Sequence, residues 1–161
     1  MKYENGDISG VIIKKLEIFT DSRGYLMELY RKDWLEGTGY DLNPAMGYMS
    51  FTKSGVSRGP HEHREQTDIF VFVGPGTFRI WLWDARKKSK TYGNRFYIDG
   101  GTNDPILVIV PFGVVHGYKN ISGNDGMVLN FPNRLYAGYN KMDAVDEIRH
   151  EDDVDGIFKM E

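Results

Sequence analysis

A chain of 161 residues fills one hydrophobic core and falls short of two ordinary domains, so a single domain over residues 1–161 is expected. A net charge of -3 and the complete absence of cysteine argue against a phosphate-neutralising surface for nucleic acid and exclude disulfides, thiolate ligands and a thiol nucleophile. No apolar run approaches membrane-spanning length, and Met1 to Gly10 carries no secretory pattern, so the expected protein is cytoplasmic, with neither nucleic acid nor membrane as partner.

Taken in chain order, the sequence predicts short strands separated by glycine-rich turns. Residues 11–19 alternate, and the turn Asp21-Ser22-Arg23-Gly24 leads into a second strand at 25–30, which makes a hairpin. One short helix is expected over 32–37 around Trp34 and Leu35, followed by a strand at 46–52. The apolar run 69–73 ends in the hairpin turn Gly74-Pro75-Gly76, and 77–83 then alternates, with Phe78, Ile80 and Leu82 on one face. Arg79, Trp81 and Trp83 form the other face, where the tryptophans are expected at a dimer interface or a pocket mouth. Further strands follow at 94–98, 106–110, 114–120 and 127–131, and the acidic segment 143–155 is expected to be helical or irregular and solvated. About ten short strands at this spacing indicate an all-β sandwich or barrel, of which the jelly roll is one closed solution.

Three of the four histidines fall in two places between those strands. They are His61 and His63 in Arg58-Gly59-Pro60-His61-Glu62-His63, and His116 in Pro111-Phe112-Gly113-Val114-Val115-His116. A lone histidine in a β-barrel is more often structural, and His150 in the acidic segment is read as a surface residue. Three converging from separate motifs indicate a site, because imidazole exchanges protons near neutrality and ligates metals. Residues two apart on a strand share a face, so His61 and His63 can both look into a barrel.

The spacing Gly55, His61, His63, Asp68, Gly74 is similar to the first motif of the cupin superfamily, with aspartate for the usual glutamate. Pro111-x-Gly113-x-x-His116-x-x-x-Asn120 matches the second. Within that superfamily the whole chain resembles the dTDP-4-dehydrorhamnose 3,5-epimerases. The resemblance rests on Asp21-Ser22-Arg23-Gly24-Tyr25-Leu26-Met27-Glu28, on Gly55 to His61, on Asp84-Ala85-Arg86 with Ser89, Thr91, Tyr92 and Gly93, on Pro111 to Tyr118, and on Arg134-Leu135-Tyr136. It implies a cupin-type double-stranded β-helix (jelly roll) and a homodimer with exchanged strands. It also implies a cofactor-free and metal-free site for a nucleotide-linked 4-keto sugar, used in rhamnose and surface polysaccharide biosynthesis.

By that resemblance His61 is the catalytic base, Arg58 contacts the nucleotide phosphates, and Arg23 with Glu28 meets the nucleotide across the dimer. His116, Gln66 and His63 lie beside the sugar, and Tyr136 packs on the ligand; Tyr136, or alternatively Tyr118, is the tyrosine left to supply the opposite-face proton. The departures are specific. Asp68 stands where the family carries the lysine that holds the enolate oxygen, Asn130 where it carries the proton-donating tyrosine, Tyr48 where it tends to have asparagine, and His63 where it usually has glutamine. The aspartate that orients the base has no evident counterpart, with Asp143, Asp146, Asp152 and Asp153 as candidates. Two other readings stay open: a metal-dependent cupin with His61, His63, Asp68 and His116 as ligands, and a sugar-nucleotide binder without catalysis.

Overall fold

Runs of apolar residues without polar alternation must be buried on both faces, and those at 69–72 and 106–110 are. The protein is seen in a computed structural model that describes residues 3–39, 42–153 and 155–161. Its strands are β1 (Glu4–Asn5), β2 (Ile12–Lys15), β3 (Ile18–Asp21), β4 (Gly24–Met27), β5 (Tyr48–Thr52), β6 (Ser57–His63), β7 (Asp68–Phe72), β8 (Thr77–Asp84), β9 (Asn94–Gly101), β10 (Ile106–Val110), β11 (Val114–Asn120), β12 (Gly126–Asn130) and β13 (Glu147–Arg149). Two short 3-10 turns, Lys32–Leu35 and Tyr139–Lys141, complete the elements. No helix among the described residues is long and apolar enough to cross a membrane.

One sheet runs β1-β9-β8-β11-β6-β13 and a second runs β2-β10-β7-β12-β5, with the β3–β4 hairpin standing apart as a third. The period-2 alternation of β8 sends Phe78, Ile80 and Leu82 between the two large sheets, where they meet Phe70, Phe72, Val108 and Val110. Each such side chain, fully removed from water, contributes about 1.5–3 kcal/mol. The outer face of β7 and β10, with Ile69, Val71, Leu107 and Ile109, is covered by Leu16, Leu42, Met27 and Trp34. This is a jelly roll of cupin type, as the motifs imply.

Three expectations change. Trp81 and Trp83 are buried with Tyr3 and Val115 under Phe158 and Met160, so the chain's two terminal segments cover them. The acidic segment supplies β13, which pairs antiparallel with β6. His150 is a packed residue whose Nε2 lies 3.0 Å from Glu62 Oε1 and whose ring lies against Phe158.

One glycine sets the shape of the site. β6 and β11 pair His61 with His116 and Arg58 with Tyr118, a register that slips between the two pairs. Gly59 absorbs the slip at φ +78°, and a Cβ there would sit 2.8 Å from His116 O.

Candidate functional site

His61 and His63 project from β6 on one face, two residues apart, and His116 sits directly across from His61 on β11. The three rings form one cluster, with centroids 4.4 Å apart for His61 and His116 and 5.5 Å for His61 and His63. The opposite sheet answers with Asp68 at the start of β7, only 1% exposed. Its Oδ1 accepts from Gln66 Nε2 at 2.9 Å and Asn130 Nδ2 at 2.8 Å. Its Oδ2 lies 3.1 Å from His63 Nε2 and 3.4 Å from His116 Nε2.

Burial drives His61 down to about 2, aided by the neighbouring His116 and His63, so this imidazole is neutral at physiological pH. Burial pushes His63 the same way, but the Asp68 carboxylate outweighs it and the net shift is upward. Burial opposes the charge on Asp68, yet His116 and His63 hold its carboxyl well below the usual range.

An open cavity of about 1960 Å³ lies over this cluster, and Arg58, His61, His63, Gln66 and Tyr136 all line it. His116, 2% exposed, lies beneath the wall against His61 and Phe70. Arg58 is braced by Thr52 Oγ1 at 3.0 Å and Phe51 O at 3.1 Å. Tyr136 stands at the rim, 52% exposed. Arg23 and Glu28 do not line their own chain's cavity: Arg23 pairs with Asp21 at the hairpin tip, and Glu28 with Arg31.

Two residues for which sequence reasoning held no catalytic role stand close to the chemistry. Glu147 on β13 brings Oε1 to 3.8 Å from His61 Nδ1, and its other oxygen accepts from Arg149 Nε at 2.9 Å. Of the aspartate candidates, Asp146 accepts the backbone amides of Arg64, Glu65 and Gln66. The alternation of Glu147 and Arg149 about Ile148 was the only strand signal available there.

The second residue is Tyr48, the strand partner of Asn130. Its hydroxyl accepts from Asn130 Nδ2 at 2.9 Å and faces the same cavity as His61 from the opposite sheet. A phenol that accepts in this way keeps its own proton free to give. Burial of the hydroxyl, with the charge of Asp68 behind it, raises its pKa, so at neutrality it is an acid. Relative to the family pattern, the phenol and the amide have changed places across one pair of strands.

A β-jelly roll whose cavity sets a neutral imidazole against a phenol defines a class of acid–base catalyst acting on a small ligand. The family description dTDP-4-dehydrorhamnose 3,5-epimerase matches residues 5–153, and the chain belongs to that family. It is 34% identical over 131 residues to the probable low-salt glycan biosynthesis epimerase Agl13 of Haloferax volcanii, covering 81% of each chain. It is likewise 34% identical over 131 residues to the spore coat polysaccharide biosynthesis protein SpsL of Bacillus subtilis, covering 80% of this chain and 82% of that one. Among solved structures, the dTDP-4-dehydrorhamnose 3,5-epimerase of Sulfolobus tokodaii superposes with a TM-score of 0.72 at 26% identity, over 92% of this chain and 82% of that one.

Proposed function

We propose that the protein is a sugar-nucleotide epimerase that inverts carbon next to the 4-keto group of a dTDP-linked deoxysugar, in the synthesis of a surface polysaccharide or glycan. The observation that carries this is the placement of His61 and the Tyr48 hydroxyl on opposite sheets of one cavity. His61 takes the proton from the carbon beside the ketone, and the electron pair of that C–H bond moves onto the keto oxygen as an enolate. Tyr48 returns a proton to the same carbon from the other face, and solvent restores both groups, so no atom is gained or lost. Glu147 orients the His61 ring, and Arg58 meets the nucleotide phosphates with its fork of donors. Tyr136, at the rim, packs on the ligand instead of supplying the proton. Family membership and the polysaccharide and glycan roles in the relatives' names support this reading.

The working unit is a homodimer. Ile18, Phe19, Tyr25 and Leu26 leave an apolar hairpin open to solvent, the kind of surface that a protein partner covers. Covering it with a second copy would carry Arg23 and Glu28 to the partner's cavity.

The test is wash-in of solvent deuterium. Incubated with dTDP-4-keto-L-rhamnose in deuterated buffer, the enzyme incorporates deuterium at the carbons flanking the ketone, read by NMR, and His61→Asn stops it. Tight binding of the nucleotide sugar with no exchange would instead make the protein a binder.

A further inference from the structure

We propose that His150 is a positioning residue for the catalytic base: with Phe158 packed behind it, it clamps β13 onto β6 from the outer side of the sheet and so holds the Glu147 carboxylate against His61. The inference starts from a weakness in the fold. β13 is three residues long, stands at the end of its sheet with β6 as its strand partner among the described residues, and has Ile148 as its only apolar side chain. A short edge strand with so little apolar burial opens locally at small cost in free energy. Yet it carries the carboxylate that lies 3.8 Å from His61 Nδ1, and a displacement of about 1 Å at such a contact is enough to cost a reaction about a hundredfold in rate.

β13 is held at both ends. On its N-terminal side Asp146 does so, through the amides of Arg64, Glu65 and Gln66. On its C-terminal side the residue is His150. The His150 amide donates to Pro60 O at 2.9 Å, which carries the pairing with β6 one residue past the strand. The ring reaches Glu62, whose Oε1 lies 3.0 Å from Nε2. A carboxylate only accepts, so Nε2 carries the proton and donates it. Glu62 stands between His61 and His63 on β6, and alternation turns it to the opposite face. The bond therefore grips β6 from behind, and the pair is largely withdrawn from solvent, with side chains 22% and 18% exposed.

The last residues of the chain keep His150 in place. Turns in which Asp153 N donates to His150 O and Gly156 N donates to Asp153 O send the chain back over the sheet. Phe158 and Met160 then face inward, and Ile157 faces out. The Phe158 ring lies 4.7 Å from that of His150, 5.5 Å from Tyr3 and 5.7 Å from Trp83, so the imidazole packs against a ring that is itself anchored in the outer core cluster. Met160 reaches the back of β11, where Gly117 has no side chain to exclude it: a Cβ there would stand 2.7 Å from the sulfur. Glu62, His150, Phe158 and Met160 do not line the cavity, so they act on the reaction only through the strands they hold. The effect on rate rests on the epimerase reading above; the clamp itself does not.

The experiment compares His150→Ala, His150→Gln and Phe158→Leu with the wild type, and uses Ile157→Ala as a control on the outward face of the same segment. Steady-state kinetics should show kcat of His150→Ala lowered about tenfold or more with KM within about twofold, because no substrate contact is removed. His150→Gln, whose amide can still donate to Glu62, should return to within about threefold of the wild type, and Ile157→Ala should match it. In a Glu147→Gln background, His150→Ala should cost less than about threefold more, since the carboxylate it positions is already gone. Amide hydrogen exchange should quicken in β13 of His150→Ala while β7 and β10 stay protected. A kcat for His150→Ala within about twofold of the wild type overturns the proposal. So does a loss equally large in both backgrounds, which would make His150 a structural residue alone. Should His150→Ala fail to fold, Phe158→Leu gives the same readings: a kcat loss that Glu147→Gln absorbs supports the clamp, and an unchanged kcat overturns it. Wild-type protein that washes in no deuterium removes the epimerase reading, and the clamp then stands or falls on whether exchange in β13 quickens.

Discussion

Replacing Tyr48 by phenylalanine removes one oxygen atom from the cavity and little else. The Asn130 amide that donates to that oxygen keeps its other bond, to Asp68 Oδ1 at 2.8 Å. Tyr48 is 44% exposed, so water can replace the missing acceptor and the fold loses no more than about 1 kcal/mol. Inversion should suffer far more, because a positioned general acid is worth about 10²–10⁴ in rate, or about 3–5 kcal/mol of barrier. Proton removal by His61 continues in the variant. The assay is therefore NMR in deuterated buffer, following inverted product and deuterium in recovered substrate separately. Tyr48→Phe should keep washing deuterium into the substrate with retention while inverted product falls by about a hundredfold or more. The double variant Tyr48→Asn with Asn130→Tyr returns the phenol to β12 and should recover at least about tenfold of the loss. If Tyr48→Phe inverts within about threefold of the wild type while Tyr136→Phe takes the loss, the proton comes from the rim and the assignment is refuted.

Glu147→Gln leaves the shape of β13 and removes the charge facing His61 Nδ1, so kcat should fall by about 10–100-fold, with KM nearly unchanged; steady-state kinetics check both. Asp84 gives a stability test. Against burial, which pushes it up, hydrogen bonds from Arg86, Ser89 and Thr91 hold its carboxyl at about 2. A depressed folded-state pKa stabilises above the unfolded value and is lost as pH falls through the folded one, so the contribution of about 2 kcal/mol is complete above about pH 4 and gone near pH 2. Urea unfolding of Asp84→Asn should therefore show a deficit at pH 7 that closes on acidification, and a deficit independent of pH would contradict the account. Leu26→Asp, 63% exposed on the hairpin, should halve the mass seen by light scattering and leave the chain folded.

The strands at 69–72, 77–84, 106–110 and 114–120 were legible because their apolar side chains pack on one or both faces. β6 was less so. Ser57–His63 contains no aliphatic residue, carries Gly59 and Pro60, and faces a polar cavity, so hydrophobic periodicity has nothing to register there; only the histidine spacing marked it. β13 is three residues long and charged, and its strand character comes from pairing with β6, a contact far apart in sequence. That is why Glu147 was assigned no role while the aspartates around it were weighed. Trp81 and Trp83 were misplaced for a related reason, since alternation identifies a second face without telling what will cover it.

The two departures at positions 68 and 130 differ in kind, and the difference bears on the chemistry. The exchange at 130 is compensated inside the chain, because the phenol missing from β12 reappears at its strand partner on β5 and the pair keeps one amide and one acid. The exchange at 68 is not compensated in that way. Lysine to aspartate moves the local charge by two units in the negative direction, in a place where an enolate must form. No lysine or arginine is paired with Asp68 among the described residues: Arg58 contacts Thr52 and Phe51, and Arg149 contacts Glu147. Protonating His63 restores one unit at most and spends that proton on the carboxylate. Asp68 Oδ2 and His116 Nε2 are left without a hydrogen-bond partner among the described residues.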